Sequence, residues 1–417
     1  LKNFGEIVKQ KVRSEVLTDA PSLIDVSWQA GPESEPLAWI KGEEGLIGFG
    51  EYARIQVQGR DRFTRARDWW QSKLRDFEIH NNVHGSGTGP ILFASFSFDE
   101  KEPSYLVIPR VVVGRRGEKR WITWIGDDSE PALQHLDPRA TPIEIEWKGW
   151  NGDLWRSRVS ELINRIKAGS VEKVVLARSL DGSASKSLSS RRILKLLHQQ
   201  YPTTWSFLHT GLIGATPELL VRLSKSMITS RVLAGTIKRT GDDERDLSLA
   251  ASLARSSKDL EEHEYAVRSV ADAISPICSS INAPESPFVL HLANVMHLAT
   301  DVTGVLNDSA NPPDILDALE RLHPSAAVCG TPRDKAQSAI EEVEGSMRGR
   351  YAGPVGWIDI RMDGEFGIAL RCGQIDESKR QIRIYAGCGI VAGSDPDDEF
   401  AESEAKLLPM RSALAAH

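Results

Sequence analysis

Leu154-Trp155-Arg156-Ser157-Arg158-Val159-Ser160-Glu161-Leu162-Ile163-Asn164-Arg165-Ile166-Lys167-Ala168-Gly169-Ser170-Val171-Glu172-Lys173-Val174-Val175-Leu176-Ala177-Arg178 changes its apolar period partway along. Trp155, Val159, Leu162, Ile163 and Ile166 form one stripe, which predicts a helix over 154–168. Gly169-Ser170 breaks it. The apolar block that follows predicts a strand over 172–180. Working outward, short alternating segments predict strands at 37–40, 54–57, 91–98, 105–108 and 120–124, with a helix at 63–77. Further helices are expected at 190–199, 255–277, 336–344 and 396–415. Further strands are expected at 206–210, 218–223, 289–291, 294–303, 355–359, 366–372 and 383–388. Strands and helices mix without a regular βαβ rhythm. That argues for an α+β fold with large antiparallel sheets rather than a doubly wound one. No repeat or low-complexity linker divides the chain. Residues 1–417 are therefore read as a single domain, β-rich over 1–150 and carrying its chemical motifs over 151–417.

Composition narrows the functional classes. The chain has 417 residues, 41% hydrophobic and 26% charged, the mix of a globular protein. A formal net charge of -7 argues against nucleic-acid binding as the main task. It leaves room for a small anionic substrate held by a local cluster of cations. Cys278, Cys329, Cys372 and Cys388 form no CxxC pair and no zinc-finger spacing. They read as reduced cysteines of a cytoplasmic protein. No apolar run is long enough to cross a bilayer, and Leu1-Lys2-Asn3-Phe4 carries no signal-peptide pattern.

Two stretches share one carboxylate spacing. Lys258-Asp259-Leu260-Glu261-Glu262-His263 and Asp395-Pro396-Asp397-Asp398-Glu399-Phe400-Ala401-Glu402 both read as helix starts. Asp259 with Glu262, and Glu399 with Glu402, sit three apart and share a face. Brought together they would hold a hard cation such as Mg²⁺. Lys406 continues the second face, placed to meet an anion. The alternative is two solvated acidic helix starts, which the helix dipole favours anyway.

Other patterns fail on inspection. Gly45-Leu46-Ile47-Gly48-Phe49-Gly50 lacks a following helix and reads as a glycine-rich hairpin. Gly85-Ser86-Gly87-Thr88-Gly89 lacks the Gly-Lys-Ser/Thr ending of a phosphate loop. His263-Glu264 has Val at 267, so the second zinc-ligand histidine is missing. Three single residues are more informative. Lys173 in an apolar strand is either an edge residue or buried for use as a base. Glu218, after Thr216-Pro217, is either solvated or a buried proton donor. Arg371, in an apolar segment, calls for a carboxylate partner from the protein or a ligand.

Residues 172–178, 214–222, 233–236, 258–263 and 350–356, the block His323-Pro324-Ser325-Ala326-Ala327-Val328-Cys329-Gly330-Thr331-Pro332-Arg333, and residues 386–406 occur in an order and spacing that resemble the chorismate-utilising enzymes. That family includes isochorismate, salicylate, anthranilate and aminodeoxychorismate synthases. The likeness covers roughly 154 to the end, with looser matches at 45–54 and 92–98. It implies two large antiparallel sheets flanked by helices around a buried site. It implies Mg²⁺ on the two acidic helices, with Glu262 and Glu402 as direct ligands and Asp259 and Glu399 acting through water. Tyr351, Arg371, Gly389 and Lys406 match residues that hold the substrate's carboxylates. His297 matches a histidine near the ring, and Thr236 a position in the pocket wall.

The family divides by the nucleophile delivered to C2 of chorismate. Ammonia users carry Gln where this chain has Lys173, so the likeness implies water, with Lys173 as base and Glu218 protonating the departing C4 hydroxyl. Ala234 stands where aminodeoxychorismate synthases often have a nucleophilic lysine. Salicylate synthases typically carry Thr at the position of Ala327. The resemblance therefore implies an isochorismate synthase, with a salicylate synthase or a catalytically silent relative as alternatives. It further implies a monomer acting on chorismate, with no glutamine amidotransferase subunit, no nucleic acid and no membrane. Residues 42–54 resemble menaquinone-pathway members most.

Overall fold

Two long antiparallel strands organise the molecule. Glu44–Val57 and Ser104–Arg116 pair from Gly45 opposite Arg115 to Val57 opposite Ser104, with a bulge between Glu51 and Ala53. A bulge bends a strand and increases its twist. The main strands form one continuous hydrogen-bonded network, and the two ends of this pair lead into its two wings, the first and second sheets below. The computed structural model describes residues 9–29, 35–126, 129–138, 142–149, 151–292, 295–376 and 378–416, apart from the side chains at 258 and 262.

The first sheet extends from both sides of this pair. On one side lie Lys119–Ile125 and then Gln10–Val16. On the other lie Leu37–Lys41, Trp205–His209, Leu212–Thr216, Cys372–Ile375, Gln381–Ile390, Lys173–Ala184 and Ile145–Gly149, in that order. The second sheet leaves from the Ser104 end. It runs through Leu92–Ser95, Pro354–Ile358, Gly364–Ile368, Leu219–Ser224, Met227–Lys238 and Val295–Leu306. Among the described residues, the only parallel pairing longer than an isolated bridge joins Gln10–Val16 to Phe77–Asn81. This is the α+β architecture of large antiparallel sheets expected from the irregular element order.

Burial follows the pattern of the strands. Trp39, Phe93, Phe207, Phe366 and Trp357 are all essentially inaccessible and gather from both sheets into one core. A second core lies under the helices Ser190–Gln200 and Pro396–Ala415, where Ile193, Leu197, Ile384, Met410 and Leu414 meet. The four cysteines are free thiols; Cys278 is half-buried and the others are buried.

Several expectations need correction. The strand expected at 366–372 stops at Ile368. Arg371 lies in a bend with φ of 50°, before Cys372–Ile375 begins. The helix expected at 255–277 is Ser257–Ile274 followed by a short 3-10 turn. Position 294 lies outside the described residues, and its strand runs Val295–Leu306. The helices Asp243–Leu253 and Ile315–Leu322 and the strand Met227–Lys238 were not anticipated.

Candidate active site

A cavity of about 620 Å³ lies where the ends of the two sheets meet the two acidic helices. Lys173, Glu218, Thr236, His297, Ala327, Tyr351, Arg371, Gly389, Lys406, Asp259, Glu399 and Glu402 all line it. Twelve of the thirteen residues named from sequence thus converge. The thirteenth, Glu262, sits in the same helix as Asp259, but its side chain lies outside the described residues.

Lys173 opens its strand opposite Thr331, and from Val174 onward that strand pairs on its other side with Gln381–Ile390. The strand is therefore not an edge strand. Its side chain is half-buried and runs past Gly389: a Cβ built there would sit 2.9 Å from Lys173 Cε and 3.5 Å from Nζ. Gly389 keeps that corridor open.

Glu218 sits between Leu212–Thr216 and Leu219–Ser224, after Pro217. Its backbone N–H donates to Thr216 Oγ1 at 3.3 Å, and its carbonyl accepts from Ile368. Burial pushes its carboxyl up to about 7, against the pull of Arg371, Lys406 and Lys173. Such an acid keeps a proton near neutral pH.

Opposite charges and neutral donors surround it. His297 Nδ1 is 2.9 Å from Thr236 Oγ1, and burial beside Arg371 and Lys406 depresses its pKa to about 3. The ring is therefore neutral at physiological pH. Tyr351 is buried, stacks on Tyr385 at 4.8 Å, and keeps its hydroxyl protonated because burial raises its pKa. Its hydroxyl lies 2.9 Å from where a Cβ on Gly387 would stand. Lys406 Nζ donates to the Gly387 carbonyl at 2.8 Å and pairs with Glu402.

The acidic helices are fixed by their caps. Ser256 Oγ accepts from Asp259 N at the start of Ser257–Ile274. Asp395 accepts from Asp397 and Asp398 N at the start of Pro396–Ala415, where Pro396 occupies the first turn. Gly235, with φ of 75°, forms a bulge opposite Val295–Leu306 and lets Asp259 approach: a Cβ there would meet Asp259 Cβ at 3.2 Å. Glu399 Oε1 accepts from Ser394 Oγ at 2.8 Å, and burial raises its pKa. Glu399, Glu402 and Cys388 bring one potential ligand atom each within 4.8 Å of one another. The Cys388 thiol donates to the Glu399 carbonyl and burial keeps it protonated, so the carboxylates are the usable ligands. The carboxylates of Asp259, Glu399 and Glu402 border one cavity, and such hard oxygen donors fit a hard divalent cation.

Some neighbours were not read from the sequence. Ser394, which orients Glu399, had a signal in Ser394-Asp395-Pro396, a helix-start pattern. Arg348 also lines the cavity. It is buried, pairs with Glu344, and donates to the carbonyls of Val175 at 2.7 Å and Val328 at 2.7 Å. It thereby ties the Lys173 strand to the loop carrying Ala327. His263, adjacent to Glu262, bonds Thr300 Oγ1 at 2.8 Å and is a buried structural group.

Carboxylates from two helix starts bordering one cavity with a lysine and a glutamic acid that keeps its proton define a class, and comparison with known proteins agrees. The family described as "Chorismate binding enzyme" matches residues 28–136 and 129–415. The chain therefore belongs to the chorismate-binding enzymes. Isochorismate synthase MenF of Bacillus subtilis is 32% identical over 410 residues, covering 90% of this chain and 86% of that protein. The crystal structure of a putative 2,3-dihydroxybenzoate-specific isochorismate synthase from Bacillus anthracis matches with a TM-score of 0.76 at 28% identity, over 93% of this chain and 98% of that one. The menaquinone-specific isochorismate synthase of Escherichia coli shares the fold, with a TM-score of 0.80 over 98% of this chain and 95% of that one, at 23% identity. Within the family this chain stands in the isochorismate synthase branch.

Proposed function

We propose that the cavity converts chorismate to isochorismate: water adds at C2 and the C4 hydroxyl leaves. The observation that carries this reading is the pairing, in one cavity, of Lys173 with a carboxyl, Glu218, whose pKa is about 7. Water is a poor nucleophile, so a base must take its proton during attack. Lys173 serves as that base. Glu218 gives its proton to the departing C4 oxygen. Arg371, Lys406 and the Tyr351 hydroxyl hold the substrate's carboxylates, and neutral His297, oriented by Thr236, faces the ring. Asp259, Glu262, Glu399 and Glu402 would hold Mg²⁺, which would supply charge stabilisation at the ring carboxylate. Ala327 leaves no hydroxyl at the wall position where pyruvate-eliminating relatives carry threonine.

The product serves menaquinone or siderophore biosynthesis. The chain works as a cytoplasmic monomer built as one chorismate-utilising domain, without an amidotransferase subunit. No described helix is long and apolar enough to cross a membrane. The test is incubation with chorismate and Mg²⁺, with and without ammonium, resolved by chromatography. Isochorismate alone is expected. Salicylate with pyruvate would remove Ala327 as a discriminator, and an aminated product would overturn the role of Lys173. Lys173→Ala should lower kcat by about 10²- to 10⁴-fold, the usual contribution of a positioned base.

A further inference from the structure

Glu218 borders two cavities. One is the site above; the other is a pocket of about 20 Å³ behind it, bordered also by Ser230, Ser269, Ser325 and Arg231. That volume accommodates one water, which needs two to four polar partners. The Ser325 hydroxyl is sealed from solvent and has no hydrogen-bond partner among the described residues. Its backbone is fixed, because the Ser325 carbonyl accepts from both Val328 and Cys329. Three serines border the pocket, of which Ser230 is buried and Ser269 exposed.

The reaction proposed above creates a need for such a pocket. Each turnover moves one proton from the attacking water to Lys173. It moves another from Glu218 to the C4 oxygen, which departs as water. Lys173 must then lose a proton to solvent and Glu218 must regain one. Within the substrate cavity, Glu218 faces Arg371, Lys406 and Lys173, whose charges oppose the approach of a further proton. On the pocket side the charged neighbour is Arg231, neutralised by Asp301 through two hydrogen bonds of 2.7 Å.

We propose that Ser325 holds a water in this pocket, and that a solvent proton returns to the Glu218 carboxylate through it between turnovers. Ser325 is a positioning residue: it touches neither substrate nor reacting atoms. The inference rests on the isochorismate synthase reading.

The test is Ser325→Ala in the full chain, assayed with chorismate and Mg²⁺ in dilute and concentrated imidazole buffer. At low buffer kcat should fall roughly 10-fold, a fraction of what a direct acid contributes, with KM for chorismate unchanged. Rising imidazole should restore kcat in the variant, its high concentration offsetting the repulsion from Arg371, Lys406 and Lys173, and leave the parent protein unaffected. Ser325→Thr, which keeps the hydroxyl, should retain parental kcat. An unchanged kcat at low buffer overturns the proposal. So does a lowered kcat that imidazole does not restore, since lost packing has no buffer dependence. Should Ser325→Ala not fold, a high-resolution crystal structure of the parent decides: a water on Ser325 Oγ is expected, and a dry pocket overturns the idea. A parent protein inactive toward chorismate would instead overturn the functional reading, with this inference following it.

Discussion

Gly389→Ala adds one methyl group beside the lysine on which catalysis is argued to depend. Gly389 does not have a positive φ, so alanine introduces no backbone strain. The stiffer unfolded chain should even contribute roughly 0.4–1 kcal/mol of stability. The new Cβ would stand 2.9 Å from Lys173 Cε, and among the described residues only Lys173 atoms lie within 4 Å of it outside its chain neighbours. Carbon atoms rest comfortably at roughly 3.5–4.0 Å. The end of Lys173, being flexible, must therefore retreat by roughly 0.6–1 Å. A misplacement near 1 Å at a reacting group costs about 100-fold in rate, equivalent to about 2.7 kcal/mol of barrier. The expectation is a protein at least as stable as the parent in urea, with kcat about 100-fold lower. The paired measurements are a urea titration and steady-state isochorismate formation. A folded variant with kcat within a few-fold of the parent would show that the position of Lys173 does not govern the reaction. Joint loss of stability and activity would show that the methyl disturbs more than one side chain.

Glu218→Gln should lower kcat by about 10²- to 10⁴-fold, yet stabilise the fold in alkaline buffer. The buried carboxyl titrates at about 7 against 4.5 unfolded, so the parent loses stability as pH rises through that window. Above it the deficit is about 3 kcal/mol; melting curves at pH 8 should favour the glutamine variant, and the difference should fade towards pH 4.5. Glu402→Gln should weaken Mg²⁺ binding, read by calorimetry and by the Mg²⁺ dependence of rate; unchanged affinity there and in Glu262→Gln would refute the ligand assignment. Glu344→Ala leaves Arg348 buried and unpaired, both side chains being 3% exposed. It should cost about 3–5 kcal/mol in denaturant unfolding.

Much of the site was legible because its chemistry is local in sequence. The i, i+3 carboxylates declare a shared helix face wherever the helix goes. Lys173 stands out because an ammonium in an apolar strand must either lie at an edge or serve a buried purpose. Arg371, which lines the cavity, was expected in a strand, since a single αL bend leaves no mark in the apolar pattern around it. The Met227–Lys238 strand was missed for a related reason. The bulge at Gly235 shifts the two-residue alternation midway, so neither half repeats long enough to read. Asp243–Leu253 is polar on most sides, and its start is marked only by the Asp242 cap and the acids Asp243, Glu244 and Asp246 in its first turn. Ile315–Leu322 did carry a readable signature in Asp314 and Asp317, which form a capping box. The opposition of Gly389 to Lys173, and the pocket behind Glu218, depend on strand pairing and could not be read from either strand alone.

The ladder that seats Lys173 beside Gly389 joins segments roughly 200 residues apart in the chain. Closing so long a loop carries a large entropic cost before any contact compensates for it, and folding rates fall as such distant pairings accumulate. The acidic helices can acquire their turns early, through their own caps, but the lysine meets its corridor only when this ladder zips. During refolding, recovery of enzymatic turnover should therefore trail recovery of helical circular dichroism. The lag between the two signals would set an upper limit on the time at which this long-range ladder closes.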